Sequence, residues 1–320
     1  DTINKAIQGA MLQRPLLPTI DPEQDEIDLI CAQYPPTDLG NSKRLIERHG
    51  DNIRYCPSVK RWYIWNGHQW EEDKRNRILE IAKATAIKIG DEAKCVSDTT
   101  TRSQLFKWAG ASQMNPRIAG MISLAKSAIP GLPEELEANP NLLNFKNGTL
   151  ELDSLTFRPH RREDKLSMCM GTDYIPGADC PKWKKQIELV FENDKKKVIF
   201  FQDFCGYHFQ HDHPMQQLFI HHGDGQNGRS VVFGALEHVF GDYCGGFPTE
   251  LLLYHRDKSS KPSPQPELLD SVKKRFLIAK EIDRGKALSE GDIKRWTGGD
   301  TEKARFLYDN KPHEFKGTLK

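Results

Sequence analysis

The sequence predicts an α/β core in its last third, preceded by a mixed α+β domain, and three observations carry that prediction. A short apolar run at 217–222 leads into a glycine-rich stretch at 223–228, and residues 230–240 then carry apolar side chains at helical spacing. A second apolar run, 276–279, ends beside two acids, Glu281 and Asp283. Upstream of residue 180, helical periodicities are interleaved with short alternating runs joined by Asn-Gly turns.

The glycine-rich stretch is Gly223, Asp224, Gly225, Gln226, Asn227, Gly228, Arg229 and Ser230, which reads G-x-x-x-x-G-[basic]-[hydroxyl]. This is the pattern of a phosphate loop, with arginine where lysine is expected. Glycines at both ends let backbone N–H groups turn inward around phosphates, in conformations closed to residues with a Cβ. All eight residues are therefore expected to hold a nucleotide, with Ser230 ligating Mg²⁺. The run before the loop suits a buried strand. The helix after it, which Gly241 is placed to stop, adds positive potential beneath the phosphates. The plainer reading is a glycine turn between a strand and a helix.

At 320 residues the chain is long enough for two domains with cores of their own. A net charge of +1 leaves any nucleic-acid contact to local patches. Seven cysteines, odd in number and without a C-x-x-C pair, indicate reduced thiols in a cytosol and neither a disulfide framework nor a zinc ribbon. No apolar run approaches the roughly 20 residues of a membrane span, so a soluble, cytoplasmic protein is expected. Because the chain starts at Asp1 and stops in an apparent strand, it is expected to be a piece of something longer.

Taken in order, residues 1–36 are polar and punctuated by proline, and are expected to be a linker or the tail of an upstream domain with little packing. A helix is expected from Thr37 to about His49, where Gly50 stops it. Strands follow at 53–56 and 62–65, with an Asn66-Gly67 turn into a strand at Trp70. The aromatic residues here, beside Arg54, Lys60 and Arg61, suit either a base-stacking platform or a packed core, and packing is the better reading. Helices are expected at 74–95 and 102–128, broken near Asn115-Pro116, with their lysines and arginines mostly on a solvated face. A strand, an Asn147-Gly148 turn and further strands occupy 142–160, and 182–207 read as two amphipathic helices. His208, His211 and His213 lack the supporting ligands of a zinc site, and His221 and His222 read as strand-end residues. Residues 254–266 read as a loop, and a short helix is expected at 267–272.

The run 141–162, then Asp173-Tyr174, Cys180-Pro181-Lys182-Trp183, Phe201-Gln202, Gly206-Tyr207 and the glycine loop, resembles the phage and plasmid primase-helicases of the poxvirus-primase type. In such proteins a helicase-associated N-terminal domain precedes a P-loop AAA+ core of superfamily 3, and the likeness spans roughly residues 38–320. It implies a helicase-associated domain at 37–180, a helical connector at 181–212 and a core from 213 to 320 that is incomplete at its C-terminal end. It also implies an ATP- and Mg²⁺-dependent ring, hexameric as in the family. That ring would move on single-stranded or forked DNA in a bacterial cytoplasm, with a primase domain upstream or in trans.

Buried strand 276–279 delivers an acid to the phosphate loop, as a magnesium nucleotide requires. Alternation puts Glu281 and Asp283 on one side and Lys280 on the other. Glu281 is expected to activate the attacking water, a position the family also fills with glutamate, and Asp283 to help hold Mg²⁺. Residues 293–308 match a further signature of the family at Lys294, Gly298, Gly299, Asp300 and Arg305. The resemblance makes this the hairpin that tracks single-stranded DNA, and Lys303 and Arg305 suit phosphate neutralisation there.

Two departures bear on catalysis. The guanidinium of Arg229 is planar and bulkier than the ammonium of lysine, and the chain ends at Lys320, before the family's asparagine and arginine finger. An alternative function is thus a catalytically impaired nucleic-acid-binding or assembly module that keeps the fold. A small-molecule kinase suits the loop but leaves residues 298–300 unexplained.

Overall fold

A computed structural model describes residues 22–131, 135–210, 215–223, 225, 227–254, 265–280, 285–305, 312–317 and 319–320. By its internal contacts the chain divides into two compact units, 1–64 with 72–132, and 65–71 with 133–320. This division differs from the sequence-expected boundaries at 36, 180 and 212.

The first unit is built from local signals. Helix α1 (Pro22–Cys31) precedes α2 (Asp38–His49), whose start is fixed by the Thr37 hydroxyl accepting from Gly40 N at 3.0 Å. Acidic Asp38 at the start of α2 and basic Arg48 and His49 at its end complement the helix dipole. Strands β1 (Ile53–Cys56) and β2 (Arg61–Trp65) pair antiparallel, Tyr55 opposite Trp62, and β3 (Trp70–Glu72) completes a sheet in the order β1-β2-β3. Helices α3 (Arg77–Glu92), α4 (Thr99–Ser112) and α5 (Asn115–Ala125) follow, with Pro116 in the opening turn of α5, where its missing N–H costs nothing. Leu45, Ile53, Ile64, Ile78, Ala82 and Met121 form the core. Tyr55 and Trp62 rings lie 5.1 Å apart against it, which is the packing role expected of these aromatics.

The little packing expected of residues 1–36 does not hold from Asp28 onward, where Asp28 and Cys31 are buried. The reason is a buried ion quartet. Arg44 Nε donates to Glu92 at 2.7 Å, and Arg48 donates to Glu92 at 2.9 Å and to Asp28 of α1 at 2.5 Å, all four side chains being 6% exposed or less. Cys31 is fully buried beside them, its thiol pushed up to about 12 mainly by burial. A polar sequence thus packs here through matched charge, which hydrophobic patterning does not register.

In the second unit, β4 (Leu142–Phe145), β5 (Gly148–Glu151) and β6 (Thr156–Arg158) form an antiparallel meander joined by the expected Asn-Gly turn. Helices α6 (Pro181–Val190), α7 (Lys195–Phe209) and α8 (Arg229–Phe240) share one core with it, including Leu143, Phe145, Ile187, Phe201, Phe204 and Phe240. Strands β7 (Cys244–Gly246) and β8 (Phe276–Ile278) pair parallel, with α9 (Thr249–Leu252) and α10 (Pro266–Ser271) between them in sequence. Helix α11 (Glu290–Thr297) precedes the hairpin of β9 (Thr301–Ala304) and β10 (His313–Lys316).

The expected strand at 217–222 is absent. A strand needs a neighbour for its ladder, yet β8 pairs with β7, and Leu277 N donates to Lys320 O at 2.8 Å. A cavity of about 670 Å³ is lined both by residues 218–222 and by 276–280. Leu218 and Ile220 accordingly stay 42% and 75% exposed. The α/β arrangement is present as small separate sheets, and a complete AAA+ sheet is not formed by the described residues.

Candidate functional site

The glycine loop opens α8. Gly228 precedes the helix with φ +76°, a left-handed conformation that favours glycine, and its carbonyl accepts from both Val231 N and Val232 N at 3.1 Å. At the other end, a Cβ on Gly223 would stand 1.9 Å from Asn227 Nδ2, so the Asn227 amide folds back over Gly223 and a larger residue there would displace it. Asn227 Oδ1 in turn accepts from Arg229 N at 3.2 Å. Of the described loop glycines, Gly228 is the one its backbone geometry favours, and Ser230 lies exposed in the first turn of α8. Asp224 and Gln226 lie outside the described residues.

Arg229 is exposed and turned back. Its Nη1 donates to His221 O at 3.2 Å, which directs the guanidinium onto the segment before the loop. The His221 ring is packed edge-on against Phe204 at 4.9 Å and Phe233 at 4.8 Å, with Nε2 buried and unpartnered. Burial first, and the Arg229 charge second, hold His221 below the ordinary histidine range. It is a packing residue, and with no strand at 217–222 it does not end one as expected.

The loop residues fit a magnesium nucleotide in part. Left-handed Gly228 and the exposed Ser230 hydroxyl suit a phosphate cradle, whereas Arg229 is engaged elsewhere. Glu281 and Asp283 lie outside the described residues. The chain just before them touches two helices: Lys280 Nζ pairs with Glu237 of α8 at 3.0 Å, and Lys280 O accepts from Thr249 Oγ1 at the start of α9 at 2.7 Å.

In the hairpin region, Lys294 is exposed on α11 and pairs with Glu290 at 3.7 Å. Gly298 caps that helix where a Cβ would meet Lys294 O at 2.5 Å, and Gly299 has φ +81°, its N–H bonded to Gly317 O at 2.9 Å. Both glycines thus serve the backbone turn into β9. Lys303 pairs across the hairpin with Glu314 at 2.8 Å, an exposed contact that competes with phosphate only weakly. Arg305 O accepts from Gln265 N at 3.0 Å, and residues 306–311 at the hairpin tip lie outside the described residues. In the first unit, Lys83 pairs with Glu80, and Lys88 and Lys94 with Asp91, so this basic face is largely self-neutralised. His208 is buried with Nδ1 on Phe204 O at 2.7 Å, His211 and His213 lie outside the described residues, and no metal-ligating cluster occurs among those described.

Sequence reasoning missed a polar centre beneath the core. Arg275, 3% exposed at the start of β8, donates to Phe209 O, Pro140 O and Leu142 O, and its guanidinium sits 5.2 Å from the Tyr243 ring centre. The Glu137 carboxylate accepts from Ser167 N at 2.6 Å and Met168 N at 2.9 Å, and burial holds its pKa above the usual range despite these bonds. An arginine adjoining an apolar run was the signal available.

Residues 42–192 match the family described as D5 N terminal like. Over 306 residues the chain is 28% identical to “Putative helicase L207/L206” of Acanthamoeba polyphaga mimivirus, covering 87% of this chain and 31% of that protein. It is 25% identical over 179 residues to “Putative helicase 121R” of Invertebrate iridescent virus 3, covering 54% and 19% respectively. A protein of Invertebrate iridescent virus 6, “Putative helicase 184R”, is 26% identical over 177 residues, 53% of this chain and 18% of that one. The chain therefore spans about a third or less of the length of these relatives. No helix among the described residues is long and apolar enough to cross a membrane.

Proposed function

We propose that the chain carries the nucleotide-binding part of an ATP-dependent DNA helicase of the primase-helicase type. The observation that carries this reading is the glycine loop, with Gly228 left-handed at the start of α8 and Ser230 exposed in its first turn, in a chain similar to viral proteins named as helicases. Gly223 to Ser230 would hold the phosphates. Ser230, Glu281 and Asp283 would hold Mg²⁺, and Glu281 would take the proton of the attacking water. Bound Mg²⁺-ATP supplies the phosphoryl group whose hydrolysis drives movement. Lys294, Gly298, Gly299, Lys303 and Arg305 would face single-stranded DNA, neutralising its backbone in a narrow channel.

The parent protein, in this reading, is a superfamily 3 AAA+ ring, hexameric, with domains at 37–180, 181–212 and 213–320 and a primase upstream or in trans. It serves replication of a phage, plasmid or viral genome in the host cytoplasm. ATP hydrolysis stimulated by single-stranded DNA, together with strand displacement by the parent protein, tests the reading. Absence of both refutes it.

The second reading, a nucleic-acid-binding or assembly module with impaired turnover, is favoured by one contact, Arg229 Nη1 on His221 O. Arg229→Lys decides between them. Lysine supplies a compact ammonium to the phosphates, so turnover is expected to rise about tenfold, and equal or lower turnover removes Arg229 as the cause of impairment.

A further inference from the structure

Beside the glycine loop stands α6, whose part in the site the motif itself does not specify. A side-chain carbon built at Gly228 would lie 2.9 Å from Val190 Cγ2 and 3.3 Å from Gln186 Nε2. The Gln186 amide is thus the nearest side-chain polar group across the loop's last glycine. Positions 182, 186 and 190 follow one another at i, i+4 spacing, so Lys182 lies on the same row of α6, one turn before Gln186. Lys182 is exposed, and its helical neighbour Lys184 is the one paired with Asp179.

Arg229, the cation that the motif offers to phosphate, donates instead to His221 O. A bound polyphosphate at this loop would therefore lack its usual charge partner. Resting on the nucleotide reading above, we infer that the Lys182–Gln186 row of α6 forms the second wall of that site. Gln186 Nε2 donates to a phosphate oxygen beside Gly228, and Lys182 supplies the cation in place of Arg229. Both are positioning residues for the phosphates and take no part in bond breaking.

The test is equilibrium binding of Mg²⁺-ATP, ADP and AMP to the full chain, unaltered and as Gln186→Ala, Gln186→Glu, Lys182→Ala and Lys182→Arg. A hydrogen bond to a charged group corresponds to about a tenfold loss in ATP affinity for Gln186→Ala. Gln186→Glu is expected to lose more, because its carboxylate faces phosphate. Losses should grow from AMP to ADP to ATP, and Lys182→Arg should restore most of what Lys182→Ala loses. A merely structural role for α6 would weaken all three nucleotides alike, and that uniform loss overturns the inference. Unchanged affinity in every variant overturns it too, while leaving the nucleotide reading intact. Failure of the unaltered chain to bind any of the three removes the nucleotide reading, and this inference with it.

Discussion

The two units bury charge in opposite ways. In the first, Arg44 and Arg48 meet Glu92 and Asp28 directly, two cations against two carboxylates. In the second, Arg275 meets three backbone carbonyls and the face of Tyr243, and burial pulls its pKa down. The difference teaches what each centre holds together. An ion quartet joins helices through side chains, whereas a guanidinium bonded to carbonyls at 140, 142 and 209 fixes the paths of separate backbone segments around β8.

The sharpest break of this comparison is Glu92→Leu. It leaves the buried Arg44 guanidinium with only the carbonyls of Tyr34 and Pro35, and Arg48 with Asp28 alone of its two carboxylates, and about 3–5 kcal/mol of stability should be lost in urea unfolding. A loss under 1 kcal/mol would show that the quartet holds little. Next comes Arg275→Met, which fills the space but strands buried carbonyls. About 2–3 kcal/mol is expected, seen as faster amide exchange near 140–142 and 276–278. Exchange that accelerates only in the first unit would contradict the assignment.

The smallest effect is one of pH. His160 and His221 both have pKa values lowered from the ordinary 6.5, chiefly by burial. A histidine with a lowered folded pKa binds fewer protons native than unfolded, so its full contribution is present above 6.5 and is lost as pH falls below it. Thermal melts between pH 7.5 and 5.5 should therefore fall on the acid side, and His160→Gln with His221→Gln should flatten the slope. Glu137 runs the other way, since its raised pKa makes stability fall as pH rises from the ordinary carboxylate value of 4.5. Glu137→Gln should remove that trend.

What was legible follows the same divide. Thr37, the Asn66-Gly67 turn and Pro116 are local signals, and α2, the turn from β2 into β3 and the start of α5 appear where they point. Residues 217–222 have the composition of a strand, but a strand is a property of its neighbours, and beside it lies a cavity where pairing would be required. Arg229 shows the same limit at the site. Its identity was readable, while its bond to the carbonyl of His221 depends on how the preceding segment runs. The α1 packing escaped because charge pairing between Asp28 and Arg48 spans 20 positions and leaves no periodic trace.

The central claim is that the loop ending at Gly228 binds a nucleoside triphosphate. Calorimetric titration of Mg²⁺-ATP into the unaltered chain and into Gly228→Val tests it most directly. A β-branched residue is strained at φ +76° and meets Val190 at the Cβ, so saturable binding by the unaltered chain and at least tenfold weaker binding by the variant are predicted. Equal affinity in a variant that remains folded, or no saturable binding by the unaltered chain, would contradict it.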